Sequence, residues 1–171
     1  MDAINSLHFR RCRMPACIQI GQGMFRGSSF HTIDDKGRII IPARFKDIIR
    51  AGGGDGVMVS RMDSCLFAYT HVEWGKIESR VLSLAEKSDY LRRFRRVFVG
   101  GAFDCPCDKQ GRILVPPTLR QYADIQKDIV LVGVLDHFEI WSREQWENEN
   151  LALEEDLQRE EVRNEISKLG L

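Results

Sequence analysis

The chain has 171 residues, 43% of them hydrophobic and 29% charged, with a formal net charge of zero. That composition excludes general disorder and fits one domain, or two small halves sharing a core. The neutral total hides an asymmetry: residues 1–50 carry 9 Lys/Arg against 4 Asp/Glu, and residues 144–171 carry 3 against 9, which permits a basic binding surface.

Residues 1–23 are basic, with an acid at Asp2 and no apolar stretch of about 7–15 residues, so they do not read as a secretory signal. They match nothing else in the chain. We expect an N-terminal extension or a start codon placed too early, with the folded unit beginning at Met24. No apolar run approaches the ~20 residues that a membrane-spanning helix needs. The five cysteines, Cys12, Cys17, Cys65, Cys105 and Cys107, are odd in number and unevenly spread. They point to reduced thiols in a cytoplasm-like compartment.

The next stretch, FHTIDDKGRIIIPARFKDII at 30–49, contains a tight turn. Asp34 stands at its first position and Gly37 supplies the left-handed or bulge conformation. Arg38 and the isoleucines after it read as a short, doubly buried strand. Pro42 cannot extend a ladder but suits the first turn of a helix. In that helix Phe45, Ile48 and Ile49 share a face. Residues 56–70, GVMVSRMDSCLFAYT, read as strand, turn at Asp63, and strand. Thr70-x-x-Glu73 then starts a helix as a capping box. Over 71–99, Trp74, Ile77, Val81 and Leu84 form one apolar stripe; a second, through Leu91, Phe94 and Phe98, ends at Gly100-Gly101.

Residues 103–123, FDCPCDKQGRILVPPTLRQYA, repeat the pattern at a constant offset of 74. Asp108, Gly111, Arg112, Ile113 and Pro116 fall on Asp34, Gly37, Arg38, Ile39 and Pro42. Leu119, Tyr122 and Ala123 fall on the helix face. Residues 129–142 match 56–70, and Ser142-x-x-Gln145 repeats the cap. An acidic helix over 143–169 closes the chain. The organisation read from this is an extension over 1–23, a first repeat over 28–75, a helical connector over 76–103, a second repeat over 104–147 and an acidic C-terminal helix over 148–171. Strands this short cannot bury their apolar faces alone. The expected fold is therefore mixed α/β, with two pseudosymmetric copies closing into one small barrel between flanking helices.

Met24-Phe25-Arg26-Gly27, then Asp34-x-Lys36-Gly37-Arg38-x-x-x-Pro42, then Asp108-x-x-Gly111-Arg112-x-x-x-Pro116, resembles the MraZ family over about residues 24–150. The resemblance implies two halves of the AbrB/MazE swapped-hairpin type, also called SpoVT-AbrB repeats. It also implies a DNA-binding transcription regulator that forms rings and recognises direct repeats upstream of the cell-division and cell-wall gene cluster to which it belongs. Its DNA-facing elements fall on Asp34–Arg38 and Asp108–Arg112. Lys36 has Gln110 opposite it, and acidic Asp35 has Lys109, so the halves are not expected to contribute equally.

Arg38 and Arg112, each just after a tight turn, are placed to reach a phosphate or a guanine edge in double-stranded DNA. The competing reading is that each only pairs with the aspartate four residues earlier and stiffens the hairpin. Lys36 is a phosphate candidate, and Lys109 is another if its loop faces the same way; Arg26 and Arg44 are weaker ones. Asp34 and Asp108 would be repelled by phosphates, so they belong to the turn and orient the arginines, with Gly37 and Gly111. Arg92, Arg93, Arg95 and Arg96 form a basic cluster that reads as a solvated or subunit-contacting face before a DNA contact.

Cys105-Pro106-Cys107 puts two thiols on one face of an extended segment. A metal site needs two more ligands, and no Cys or His pair has finger-like spacing. No nucleophile motif, phosphate loop or dinucleotide fingerprint is present. No catalysis, cofactor or metal is expected. Two functions remain: a sequence-specific regulator, in the cytoplasm at the nucleoid and acting as a repressor, or a ring-forming interaction protein whose arginines serve structure alone.

Overall fold

The computed structural model describes residues 23–83 and 88–170. The expected extension, apart from Gly23, and Leu84 of the first stripe lie outside the described residues. The first half runs β1 (Phe25–Thr32), β2 (Arg38–Ile40), α1 (Ala43–Ala51), β3 (Gly56–Met62), β4 (Cys65–Tyr69) and α2 (His71–Ser83). After α3 (Asp89–Phe94) and a π-helical turn at Arg95–Val99, the order repeats. It runs β5 (Phe103–Pro106), β6 (Arg112–Leu114), α4 (Pro117–Tyr122), β7 (Asp128–Leu135), β8 (His137–Ser142) and α5 (Arg143–Asp156), followed by α6 (Glu160–Ser167).

Local chemistry sets these bounds. Pro42 and Pro116 precede α1 and α4 at the N-cap, where a missing N–H costs nothing. The Thr70 hydroxyl accepts from the Glu73 amide at 3.3 Å, and the Ser142 hydroxyl accepts from the Gln145 amide at 3.3 Å. The C-terminal helix divides into α5 and α6, which puts Glu160 and Glu161 in the first turn of α6, where the helix dipole favours acids.

The sheet interleaves the halves. Its strand order is β1-β7-β8-β4-β3-β5, with every pair antiparallel. The first strand of each half thus pairs with the third strand of the other, and the two fourth strands meet at the centre. The second strands form a separate ribbon, β2 against β6, with Arg38 opposite Leu114, Ile39 opposite Ile113 and Ile40 opposite Arg112. A closed barrel was expected; the hydrogen-bonded strands instead form an open six-stranded sheet and a two-stranded ribbon. Each ribbon strand is three residues long, bounded by a turn and by Pro42 or Pro116. Bridge pairing joins β2 to the end of β1 only at Ile33–Ile39.

Apolar burial fixes the ribbon against the sheet. Ile39, Ile41, Phe45, Ile113, Val115 and Leu119 are buried in one core with Phe25, Leu131 and Phe138. The rings of Phe25, Phe45 and Phe138 lie 5.1–5.2 Å apart, a spacing suited to offset and edge-to-face contact. A second cluster gathers Phe67, Tyr69, Trp74, Phe98 and Trp141. The ribbon is not doubly buried, as its run of isoleucines suggested. Ile39 and Ile113 face the core, while Ile40 is 56% exposed and Leu114 is 54% exposed. No helix among the described residues is long and apolar enough to cross a membrane.

Candidate nucleic-acid interface

Both turns close in the same way. The Gly37 amide donates to the Asp34 carbonyl at 2.8 Å, and the Gly111 amide to the Asp108 carbonyl at 2.8 Å. Gly37 has φ +83° and Gly111 has φ +71°, a region that residues with a Cβ enter at a cost. Oδ1 of Asp34 accepts from the amides of Lys36 and Arg38 at 3.0 and 2.9 Å. Oδ1 of Asp108 accepts from those of Gln110 and Arg112 at 2.9 and 3.0 Å.

The second carboxylate oxygen holds the arginine. Arg38 donates from Nε at 2.7 Å and from Nη2 at 2.6 Å to Oδ2 of Asp34. Arg112 makes the same pair of contacts to Asp108 at 2.8 and 2.7 Å. These charge-assisted bonds hold both carboxyls well below the usual range, at about 2: the arginine side-chain hydrogen bond is the main cause, followed by the arginine's own amide. Each arginine therefore pairs with the aspartate four residues earlier, the contact on which the turn-stiffening reading rests. That contact uses the Nε edge of each guanidinium, through Nε and Nη2, and leaves the Nη1 end outside it.

Ribbon pairing brings the two turns together. The Ile41 amide donates to the Gly111 carbonyl at 3.0 Å, and the Val115 amide to the Gly37 carbonyl at 2.9 Å. Arg38 and Arg112 are diagonal neighbours across β2 and β6, so their Cα atoms lie about 7–8 Å apart on one face. Lys36 and Lys109 are exposed in the turns, beside exposed Asp35 and Gln110. The structure thus gathers Asp34, Lys36, Gly37 and Arg38 with Asp108, Lys109, Gly111 and Arg112. The arginines of 92–96 lie apart from the ribbon, on α3, where Arg92 pairs with Asp89, and on the π-helical turn that follows it. The Arg44 guanidinium stands 5.1 Å from the Phe45 ring.

Two cations escaped the sequence reading. A Cβ on Gly37 would meet the Arg120 guanidinium at 3.0 Å, and a Cβ on Gly111 would meet Lys46 Nζ at 2.5 Å. Lys46 and Arg120 are themselves related by the offset of 74, so the helix of each half sets a cation behind the turn of the other. Neither has a carboxylate within ion-pair distance among the described residues, and Arg120 Nε is buried without a hydrogen-bond partner. The repeat offset was the signal that could have found them. An open cleft of about 390 Å³ lies on the second turn, lined by Lys46, Arg50, Asp55, Cys107, Lys109 and Gly111 among others. The Cys105 thiol is pushed up to about 12 by burial, which leaves it unreactive at neutral pH. Among the described residues, no three His, Cys, Asp or Glu side chains gather as a metal site would require.

The family described as "MraZ protein, putative antitoxin-like" matches residues 24–96 and 98–165. The chain belongs to the MraZ family. The two matched segments correspond to the two interleaved halves, each with one Asp-x-x-Gly-Arg turn. A protein of Desulforapulum autotrophicum named "Transcriptional regulator MraZ" is 64% identical over 148 residues, 86% of this chain and 100% of that protein. One of the same name from Desulfosudis oleivorans is 52% identical over 149 residues, again 86% and 100%. A third, from Desulforamulus reducens, is 46% identical over 132 residues, 77% of this chain and 90% of that protein.

Proposed function

We propose that this MraZ-family chain is a sequence-specific DNA-binding transcription regulator, acting as a repressor. In this reading it recognises direct repeats upstream of the cell-division and cell-wall gene cluster, as a ring-forming homo-oligomer in the cytoplasm at the nucleoid. One observation carries it: two aspartate-held arginines stand diagonally across one face of the ribbon, each with the Nη1 end of its guanidinium pointing away from its carboxylate. An arginine fixed on one edge loses little freedom when the other end binds a guanine edge or a phosphate. The names of the relatives, transcriptional regulators, support the same reading.

Lys36, Lys109, Lys46 and Arg120 supply further phosphate contacts around the pair, while Asp34, Gly37, Asp108 and Gly111 orient the arginines. The neutral net charge is unusual for a DNA binder. A ring answers that: it collects many copies of the ribbon on one side and directs the acidic α5 and α6 elsewhere. Weak grips on tandem repeats then multiply through linkage. Occupancy of a promoter excludes polymerase.

The test is a gel-shift titration at two salt concentrations with the DNA immediately upstream of the protein's own gene, using wild type and Arg38→Ala. Specific, salt-sensitive binding by wild type that Arg38→Ala loses, with fold and oligomer intact, is the expected result. If wild type shows no preference over unrelated DNA, the alternative takes its place: a ring-forming interaction protein whose arginines serve structure.

A further inference from the structure

The sequence run Arg38-Ile-Ile-Ile-Pro42 reads as core, yet only Ile39 and Ile41 are core; Ile40 is 56% exposed and Leu114, its counterpart in the second half, is 54% exposed. Side chains alternate across a strand, so Ile40 shares the outer ribbon face with Arg38, and Leu114 shares it with Arg112. Register fixes the pattern further: Ile40 lies directly opposite Arg112, and Leu114 directly opposite Arg38. The outer face is thus a block of four side chains, two arginines on one diagonal and two branched aliphatics on the other.

An exposed aliphatic pair flanked by two guanidinium groups can serve a protein contact, where arginine is enriched, and the assembly size measured below tests that use. It also suits the floor of the DNA major groove. That groove is about 12 Å wide and admits a two-stranded ribbon, whose strands stand ~4.8 Å apart. There guanine offers acceptors to arginine, and thymine offers a C5-methyl group to an apolar side chain. We propose that Ile40 and Leu114 read thymine methyl groups beside the guanines or phosphates held by Arg38 and Arg112. The inference rests on the DNA-binding reading above and adds its specificity determinants.

Spacing makes it more definite. Ile40 and Leu114 are diagonal neighbours, about 7–8 Å apart, and base pairs rise ~3.4 Å per step. The two methyl groups should therefore lie about two base pairs apart. The pseudo-twofold relation of β2 and β6 through the Ile39–Ile113 pair places them on opposite strands. Each aliphatic is more than half exposed in the free chain, so shortening it should leave the core, the turns and the arginines in place.

The experiment measures affinity for the upstream fragment synthesised with thymidine and again with deoxyuridine in its place, which removes only the C5-methyl. Wild type, Ile40→Ala, Leu114→Ala and the double variant are compared at fixed salt, with the salt slope and the assembly size recorded for each. Wild type should bind the deoxyuridine duplex about fourfold more weakly per methyl read, the effect of one buried methyl-sized group. Each single variant should lose half of that dependence. The double variant should bind the two duplexes equally, with an unchanged salt slope. A double variant that keeps the wild-type preference for thymidine overturns the proposal, as does a wild type with no such preference. A double variant that loses assembly instead assigns the pair to a contact between copies and also overturns it. A wild type that binds neither duplex specifically sinks the DNA-binding reading itself, and this outcome is distinct from the others.

Discussion

The two turns are alike in geometry and unlike in charge. Asp34 and Asp108 make the same four side-chain contacts, matching within 0.1 Å. Around them the first half has Asp35, Lys36 and the guanidinium of Arg120; the second has Lys109, Gln110 and the ammonium of Lys46. Backbone geometry is copied because every residue that makes it, aspartate, glycine and arginine, is copied. The surrounding charges do not shape the turn, so nothing in the fold requires them to match. Duplication therefore gives two equivalent frames that present two different electrostatic faces to a ligand.

The largest effect should come from the arginines. Each bidentate base contact gives roughly 1–3 kcal/mol of discrimination. Arg38→Ala and Arg112→Ala should each lower specific DNA affinity by about 5- to 150-fold, read by anisotropy on the upstream fragment. Equal losses would mean that the frame decides binding. A larger loss at one site would mean that its neighbours decide, and would show which half leads.

Next in size is the strain at the glycines. An alanine at φ +83° or +71° pays roughly 1–2 kcal/mol for the left-handed conformation. It also displaces the cation behind the turn, Arg120 at Gly37 and Lys46 at Gly111. Gly37→Ala and Gly111→Ala should each lower stability by about that amount in a denaturant titration, and by similar amounts to each other. A loss at one position alone would show that the frames are not equivalent after all.

The crossed cations sharpen the comparison from the other side. If Arg120 and Lys46 each meet a phosphate, removing one should reduce the salt slope of DNA binding by about 0.9, with melting temperature preserved. Arg120→Lys should restore the slope of Arg120→Gln if only charge matters; if the planar guanidinium matters, it should not. An unchanged slope in both Arg120→Gln and Lys46→Gln would confine these side chains to packing against the glycines.

Much of this was legible in the sequence, and the limit falls at a definite place. Asp34, Gly37, Pro42, Thr70 and their partners 72–74 residues on act through bonds to their immediate neighbours, so they gave the turns, the helix starts and the order of elements. The pairing of β1 with β7, β3 with β5 and β2 with β6 joins residues tens of positions apart and leaves no local mark. That is why an open sheet stood where a barrel was expected, why Ile40 and Leu114 read as core, and why Lys46 and Arg120 went unnoticed. A short apolar run does not tell which of its side chains faces out until its partner strand is known.

The smallest effect is also the cleanest test of equivalence. Both aspartates are held at about 2, mainly by the hydrogen bond from their arginine. Their unfolded value is near 3.9. A carboxyl depressed on folding adds stability that is present above the unfolded pKa and is lost as pH falls through the folded one, here from about pH 4 down to about pH 2. Because both pairs are partly exposed, solvent screens them and the gain is modest. Carboxyl titration by NMR should give the same low value for Asp34 and Asp108, and Arg38→Ala should raise Asp34 alone. Should the two differ in the wild type, charge from the unlike neighbours reaches into the frame, and geometry and electrostatics are not separable in this fold. Should they agree while Arg38→Ala and Arg112→Ala differ in DNA affinity, the inequality of the halves lies wholly outside the turn, in Lys36, Lys109, Lys46 and Arg120.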